Sequence, residues 1–377
     1  MSTIHWTESR TARSARWHSE SATPPPRRVV VADDRTKADT AYRLTCEGTA
    51  LLWRGDFQNA RQLLQAMSRR VDRKPPRPGD SPADSFHLHR RARSHRARVL
   101  GRLLVLLKDD YSLGLRRAPD VRQACSEAYG PPHEPLAVSF TELLGVIGAH
   151  QWRKKGVEVS ALDARIHPHY GVFSPVRGEY VDLVAHAPLP ASADDRAARR
   201  TAFDLGTGTG VLAAVLARRG IDHVVATDIS PRALACAREN VRRLHFSGRI
   251  DVVGPGLFPD GRADLIVCNP PWIPARPTSA VEQGVYDPDG TMLHSFLDGL
   301  RAHLEPGGEG WLILSDLAER LGLRTRSALP AAIATAGLQV LDRTDTRPRH
   351  PRTRDTTDPL HAARAAEITS LWRLASH

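Results

Sequence analysis

The chain has 377 residues, a net charge of +11 and four cysteines. This length favours one large or two smaller domains. No stretch approaches about eighteen consecutive apolar residues, and the N-terminus MSTIHWTESRTARSARWHSE lacks the apolar block of a secretory signal, so we expect a cytoplasmic protein that does not contact membranes. The cysteines lie far apart with no Cys-x-x-Cys pair, which indicates neither a disulfide framework nor a zinc site.

The positive charge is concentrated in the N-terminal part. The first 150 positions hold 25 of the 53 basic residues but only 16 of the 42 acidic ones, and residues 61–102 hold twelve basic and three acidic residues. Such clustering is typical of a surface that binds RNA or another polyanion. The bias has a second reading, because only five of the basic residues are lysines and a GC-rich genome favours arginine.

The first half of the chain predicts a tail and a helical domain. Residues 1–38 are rich in Ser, Pro and Arg and predict a disordered tail. Residues 39–155 predict a helical N-terminal domain, with a helix over Phe57–Val71 capped by Asp56 and a Pro-rich break over residues 73–84. Further helices are predicted over residues 86–107, 121–129 and 140–151. The three histidines in HLHRRARSH have no carboxylate or cysteine beside them, so we interpret them as a solvated helix face and predict no metal site.

From Thr201 apolar strands alternate with amphipathic helices. Strands are predicted at TAFDL, HVVATD, IDVV, ADLIVCN and GWLILSD, and helices over residues 210–219, 231–244 and 292–304. A final hairpin is predicted from LQVLDRTDT and EITSLWRL, with the Pro- and Arg-rich stretch between them as its long loop. The pattern is α/β: a doubly wound, mostly parallel, seven-stranded Rossmann-like sheet, with its domain over residues 160–377.

A glycine loop follows the first of these strands. FDLGTGTG places Gly206, Gly208 and Gly210 between a strand and a helix, where missing side chains let a ligand approach the backbone. A nicotinamide dinucleotide and a simple tight turn both remain possible readings of the loop itself. Asp204 precedes the loop and would repel a pyrophosphate but suits an ammonium group, while Asp228 ends the second strand, where it can accept hydrogen bonds from ribose hydroxyls.

These features resemble the class I S-adenosylmethionine-dependent methyltransferases over residues 201–315. The resemblance implies that S-adenosylmethionine and its product S-adenosylhomocysteine are ligands. It assigns the amino acid end of the cofactor to Asp204 and the loop, the ribose to Asp228, and further cofactor contacts to Thr207, Ile229 and Asn269. The chain departs from the family after the third strand, where members often carry an acid for the adenine amine and this sequence has Gly256; backbone groups near Leu257 and the side chain of Asp260 are the substitutes we consider.

The sequence VCNPPW lies at the carboxyl end of the fourth strand, in the crevice where open α/β sheets bind ligands. A planar nitrogen is a poor nucleophile because its lone pair is delocalised. The side-chain oxygen of Asn269 and the carbonyl of Pro270 can accept both of its N–H groups, and Pro271 stiffens the turn. Trp272 is predicted to stack on the flat substrate. This chemistry needs no metal and no covalent nucleophile.

The four residues resemble the [Asn/Asp/Ser]-Pro-Pro-aromatic signature of enzymes that methylate adenine N6, guanine N2 or glutamine N5. HPHYGVFSPVRGEYVDLV resembles the segment that closes over the cofactor in the small-domain and glutamine methyltransferase group, so Phe173 and Arg177 are candidate substrate or lid residues. The segment after the motif, QGVYDPDGTMLHSFL, resembles a loop of the same group, which adds Tyr286 and Asp289 as substrate candidates. Asp316 is a further candidate, at the end of the fifth strand.

The sequence therefore predicts an enzyme that transfers a methyl group from S-adenosylmethionine to a planar nitrogen of a macromolecule, either an RNA base or a protein glutamine. Two alternatives stay open. One is an N-methyltransferase of a small guanidine or amine metabolite, because Asp289 and Asp316 suit a cationic substrate. The other is a non-catalytic RNA-binding or assembly module built on the same fold, although such modules usually lose the glycine loop or the Asn-Pro-Pro turn.

Overall fold

The computed structural model describes residues 2–73, 77, 79–190, 199–277, 281–349 and 355–377. The chain divides into two compact units, one formed by residues 1–78 and 87–151 and the other by residues 79–86 and 152–377. Parts of the predicted Pro-rich break and of the long hairpin loop lie outside the described residues. Within the described residues, no helix is both long and apolar enough to cross a membrane.

The first unit is built on a sheet with helices packed beside it. Its described strands are ordered β1-β2-β6-β5-β4-β3, with β3, β4 and β5 parallel to one another. In chain order the elements are β1 (Thr3–Glu8), β2 (Thr11–Trp17), β3 (Arg28–Ala32), α1 (Ala38–Cys46), β4 (Thr49–Trp53), α2 (Phe57–Val71), α3 (Pro82–Leu100), β5 (Leu103–Leu107), α4 (Arg122–Tyr129), β6 (Leu136–Ser139) and α5 (Phe140–Lys155).

The prediction of a disordered tail over residues 1–38 was wrong. This segment supplies three strands of the sheet, and its few large apolar side chains, among them Ile4, Trp6 and Trp17, are buried in one core cluster. Alternation along β1 places Ile4 and Trp6 on the same buried face, with Thr3, His5 and Thr7 on the exposed face. Average composition hid this pattern because two tryptophans bury a large area within a segment that is otherwise polar.

The expectation of a helical N-terminal domain also needs correction, because the unit is mixed α/β. TALLW and LLVLL, both assigned to helical segments, are the strands β4 and β5, with nearly every residue buried. A short run that is apolar on both faces does not distinguish a buried strand from a buried helix by its period. The helix over Phe57–Val71 is confirmed, and the Asp56 side chain accepts hydrogen bonds from the N–H groups of Gln58 and Asn59 at its start.

The second unit contains the large sheet and its helices. In chain order its elements are β7 (Val157–Val159), β8 (Ala164–Ile166), α6 (Glu179–His186), β9 (Thr201–Leu205), α7 (Val211–Arg218), β10 (His223–Thr227), α8 (Pro231–Arg243), β11 (Ile250–Val253), β12 (Ala263–Cys268), α9 (Thr291–His303), β13 (Leu304–Ser315), α10 (Leu317–Arg320), α11 (Ala328–Thr335), β14 (Leu338–Thr346), α12 (His361–Ala365) and β15 (Thr369–Ser376).

The predicted doubly wound sheet is confirmed. Seven described strands follow the order β11-β10-β9-β12-β13-β15-β14, with β15 antiparallel to both neighbours and the other pairs parallel. Buried apolar side chains form one cluster with α6 and α7 and a second with α9 and α11, so the sheet is covered on both faces. The chain reverses its direction of winding between β9 and β12, and the carboxyl ends of these strands form the crevice in which such sheets bind ligands.

Candidate active site

The glycine loop adopts a backbone shape that requires glycine at its ends. Gly206 and Gly210 have φ angles of 71° and 81°, in the left-handed region that other L-residues rarely adopt. A Cβ atom at Gly206 would collide with the methyl group of Met292. The Thr207 N–H donates to the Thr227 carbonyl over 2.8 Å, which ties the loop to the end of β10. The loop is therefore a fixed concave surface of backbone at the start of α7.

Asp204 is buried at the end of β9, with 1% of its surface exposed. Its Oδ2 accepts hydrogen bonds from Thr207 Oγ1 at 2.6 Å and from the Ala213 N–H at 3.0 Å. Burial raises the pKa of Asp204 to about 6, against the lowering effect of these two hydrogen bonds. Both hydrogen bonds go to Oδ2, so Oδ1 takes part in neither of them. A buried carboxylate that is costly to ionise alone is a strong partner for the ammonium group of an amino acid.

We expect the affinity for S-adenosylhomocysteine to rise about tenfold between about pH 5 and about pH 7, because the Asp204 carboxyl must lose its proton before it can pair with the ammonium group. Because its pKa is raised, Asp204 binds this proton more tightly in the folded protein without cofactor than in the unfolded chain. The contribution of Asp204 to the stability of the fold therefore falls as pH rises through about 6. Isothermal titration at several pH values measures the affinity.

The matched variant is Asp204→Asn, which is expected to flatten the pH dependence. 5′-Methylthioadenosine has no ammonium group and serves as the ligand control. An equal pH dependence for both ligands would show that Asp204 does not bind the amino acid end.

Asp228 is anchored by backbone groups at the end of β10. Its Oδ2 accepts from the Gly208 N–H at 3.0 Å and its Oδ1 accepts from the Ser230 N–H at 2.8 Å. Burial raises the pKa of this carboxyl, while the backbone hydrogen bonds lower it. A carboxylate has about four acceptor positions, so the oxygens that these backbone groups orient can also accept from neighbouring hydroxyls. Ile229 follows with 74% of its surface exposed, an apolar surface suited to the flat face of an adenine.

The segment after β11 is held against this site. Thr227 Oγ1 donates to the Leu257 carbonyl, and the Gly256 N–H donates to the Asp228 carbonyl over 3.3 Å. The backbone nitrogen of Gly256 is therefore engaged within the protein, and Asp260 lies exposed. The fit to S-adenosylmethionine rests on the glycine loop, Asp204, Asp228 and the exposed Ile229.

The Asn-Pro-Pro-Trp turn starts where β12 ends. Pro270 is buried, and the other three residues of the turn are half-buried. Trp272 Nε1 donates a hydrogen bond to Asn269 Oδ1 over 2.8 Å. The ring packs between the two large core clusters and a third cluster that contains Ile273 and Tyr286. Trp272 is thus held by its neighbours rather than projecting freely from the turn.

Arg177 covers the Trp272 ring. Its guanidinium carbon lies 5.9 Å from the ring centroid, a cation–π arrangement, and its Nη1 lies 3.2 Å from Glu367 Oε1. Phe173, the other candidate of this segment, is half-buried and lies directly against Gly284, in the loop that follows the motif. The structure therefore brings Arg177 to the turn and Phe173 to the loop behind it.

Two of the three remaining predicted substrate residues are engaged in local structure, and the third is exposed. Tyr286 is buried among Phe86, Ile273 and other apolar side chains. Asp316 uses one oxygen to accept from the Ile368 N–H at 2.8 Å and the other to pair with Arg320 at 2.8 Å, so both oxygens hold the local structure. Asp289 is exposed, with a left-handed φ of 59°.

Two acidic groups near these elements were missed by sequence reasoning. Asp287 is 7% exposed, and its Oδ2 accepts from the Met292 N–H in the first turn of α9 at 2.8 Å. Its signal was an Asp-Pro pair just before a helix. Glu367 is fully buried, and its Oε1 accepts from Ser315 Oγ at 2.7 Å as well as from Arg177. No sequence signal marked Glu367, because its partners lie far away along the chain.

Comparison with known proteins gives a family for this region. Residues 163–320 match the model of the methyltransferase small domain. The release factor glutamine methyltransferase of Cereibacter sphaeroides is 37% identical over 153 residues, which cover 34% of this chain and 55% of that protein. The ribosomal protein L11 methyltransferase of Vibrio vulnificus is 33% identical over 97 residues, which cover 26% of this chain and 33% of that protein. The chain spans about half the length of the first relative and a third of the second.

A crystal structure of a ribosomal protein L11 methylase from Lactobacillus delbrueckii subsp. bulgaricus has a TM-score of 0.36 and 20% identity, covering 54% of this chain and 83% of that chain. This likeness is too low to carry an argument about the site. The family match, the strand order and the glycine loop agree with one another. Residues 163–320 are therefore similar to the methyltransferase small domain and to the release factor glutamine methyltransferases, a similarity that implies S-adenosylmethionine as the cofactor.

Proposed function

We propose that this chain transfers the methyl group of S-adenosylmethionine to a planar nitrogen of a macromolecule. One observation carries the proposal. β9 and β12 are neighbours, and Leu205 pairs with Cys268 at their ends. The next residues along the two strands are Gly206 and Asn269, so the register sets the catalytic turn beside the loop assigned to the methionine end of the cofactor.

The turn supplies acceptors for a nitrogen that carries two hydrogens. Asn269 Oδ1 and the Pro270 carbonyl accept its N–H groups, which localises the nitrogen lone pair and stabilises the positive charge that develops during transfer. Proline restricts φ at two successive positions, so the acceptors keep their direction. When bound, the cofactor would supply an electrophilic methyl group on a sulfonium, and the Asn269 turn would hold the nitrogen that accepts this methyl group and loses one N–H proton.

The favoured substrate is the side-chain amide of a protein glutamine. An amide nitrogen has two N–H groups and a delocalised lone pair, which is the problem that the Asn269 turn addresses. Both curated relatives described above are named for protein substrates, a release factor and a ribosomal protein. Their names support a protein substrate here, while the partial coverage leaves the identity of that protein to experiment.

An RNA base is a second candidate because of the exposed basic helix α3. Seven of the eight residues from 91 to 98 are exposed, and four of the eight are arginines. Arg96 is paired with Asp72 at 3.2 Å, whereas the charge of the segment as a whole stays strongly positive. A helix segment with several exposed guanidinium groups attracts phosphate backbones with a steep salt dependence.

Methyl transfer from radiolabelled S-adenosylmethionine into a desalted cell lysate separates these candidates. We expect label in protein, and acid hydrolysis of a methylated side-chain amide to release labelled methylamine, whereas a methyl group on lysine or arginine stays with the amino acid. Label in RNA would favour the second candidate. Label confined to small molecules would contradict both.

The triple variant Arg91→Glu, Arg93→Glu, Arg98→Glu tests the basic helix in the same assay. If the substrate is a protein that does not contact this helix, its rate of methylation is expected to stay unchanged. If the substrate is RNA, its rate of methylation should fall at least tenfold and become less sensitive to salt. Arg10→Glu, Arg13→Glu, Arg35→Glu makes the same charge change at exposed positions elsewhere in the first unit. Equal losses from both triple variants would reflect net charge rather than a binding surface.

A further inference from the structure

The Trp272 ring is fixed at its edge and on one face. Its Nε1 donates to Asn269 Oδ1 over 2.8 Å, and the Arg177 guanidinium carbon lies 5.9 Å from the ring centroid. The rest of the ring packs against three clusters of buried apolar side chains. A ring with this many partners offers little free surface for a flat substrate.

Arg177 is itself held from behind by a buried carboxylate. Glu367 is fully buried, accepts from Arg177 Nη1 at 3.2 Å and accepts from Ser315 Oγ at 2.7 Å. Removing Arg177 from the ring would leave the Glu367 charge without its cationic partner in a buried place, which is costly. The guanidinium is therefore a fixed part of the site, and the ring face that it covers is not available to a ligand.

The indole N–H fixes the orientation of the Asn269 carboxamide and therefore which of its two ends can accept a hydrogen bond from the substrate. A carboxamide has an oxygen that accepts and an NH2 group that donates, and the two ends have nearly the same shape. Only the oxygen can accept an N–H of the substrate. A donor held next to the carboxamide keeps the oxygen on its own side, and the carbonyl oxygen retains a second lone pair for the substrate.

We propose that Trp272 is a positioning residue whose indole N–H orients the Asn269 carboxamide for catalysis, with Arg177 and Glu367 holding the indole in place. This inference rests on the proposed function and replaces the expectation that Trp272 stacks on the substrate. Phenylalanine has no donor, and the hydroxyl of tyrosine lies at the far end of its ring. Trp272 thus supplies a hydrogen bond that neither of those aromatic residues gives from the same place.

Replacing Trp272 with β-(3-benzothienyl)alanine tests the N–H alone, because this residue keeps the shape of the indole and has sulfur in place of the N–H. We expect kcat to fall about fivefold to tenfold, the cost of losing one orienting hydrogen bond. KM and the affinity for S-adenosylhomocysteine should stay within about twofold. Trp272→Phe should show the same split between kcat and KM.

A matched control is Trp152→Phe, since Trp152 lies on α5 with 51% of its surface exposed and is expected to leave kcat unchanged. A stacking role would instead predict that the benzothienyl variant keeps the wild-type kcat, because its flat surface is intact. That result would overturn the proposal.

The hydrogen bond has a readout that does not depend on activity. The indole N–H signal of Trp272, assigned by its loss in Trp272→Phe, should move upfield in the nitrogen–proton correlation spectrum of Asn269→Ala. An unmoved signal would show that the bond is absent and overturn the proposal. If the signal moves but the wild-type protein shows no methyl transfer, the hydrogen bond is present and the proposed function is contradicted. The two failures are therefore distinguishable.

Discussion

Asn269→Ala is expected to lower kcat by about 10²- to 10³-fold while the affinity for S-adenosylhomocysteine stays within about threefold. In the proposed mechanism, the variant removes an acceptor for the substrate N–H groups, whose interaction with Asn269 strengthens as positive charge develops on the nitrogen. It leaves the glycine loop and Asp228 untouched, because their hydrogen bonds run to each other and to β10. The loss should therefore appear in turnover rather than in cofactor binding.

The measurement pairs the radiolabel assay with isothermal titration of S-adenosylhomocysteine. The matched control is Asn59→Ala, an asparagine on α2 whose side chain bonds to Asp34 in the first unit. Retention of kcat within about tenfold in Asn269→Ala would contradict the acceptor mechanism. Loss of cofactor affinity would show instead that the variant had disturbed the strand end.

The large sheet was predictable because its information is local. TAFDL and IDVV are strands over the predicted residues, and LQVLDRTDT forms β14 with its predicted bounds. These runs are separated from one another by short segments, so each element can be predicted from its own stretch of sequence. The first unit lacks this regularity: β1 and β2 are mostly polar, and their burial depends on Trp6 and Trp17 meeting residues far away along the chain.

The site residues also fall into two groups, those that the local sequence predicts and those whose contacts come from distant parts of the chain. Asp204 and Asp228 were placed by their positions at strand ends, which the strand pattern fixes. Tyr286 is a substrate candidate only through the resemblance of its segment to a family loop, and the buried cluster that contains it is assembled from distant parts of the chain. The Arg177–Glu367 pair joins residues 190 positions apart, and no local pattern specifies such a contact.

Asp228→Ala is expected to weaken binding of S-adenosylhomocysteine by about 10²- to 10⁴-fold. Each hydrogen bond to a charged group contributes about 1.5–3 kcal/mol, and the ribose offers two hydroxyls to this carboxylate. The variant also releases the Gly208 N–H, which Asp228 Oδ2 holds at 3.0 Å, so the glycine loop loses a tie to β10. Both effects act on the ligand-binding surface, and the expected loss is therefore larger than that of one hydrogen bond.

5′-Methylthioadenosine separates Asp228 from Asp204, because it keeps the ribose and lacks the ammonium group. Asp228→Ala should weaken this ligand about as much as it weakens S-adenosylhomocysteine, whereas Asp204→Asn should leave it nearly unchanged. Asp251→Ala, on the exposed face of neighbouring β11, provides a carboxylate control and should shift neither affinity. A loss of less than about threefold in Asp228→Ala would move the ribose contact to another residue, since a charged hydrogen bond contributes more than that. Equal losses for both ligands in both acidic variants would mean that the two carboxylates act by holding the loop, and not by contacting separate ends of the cofactor.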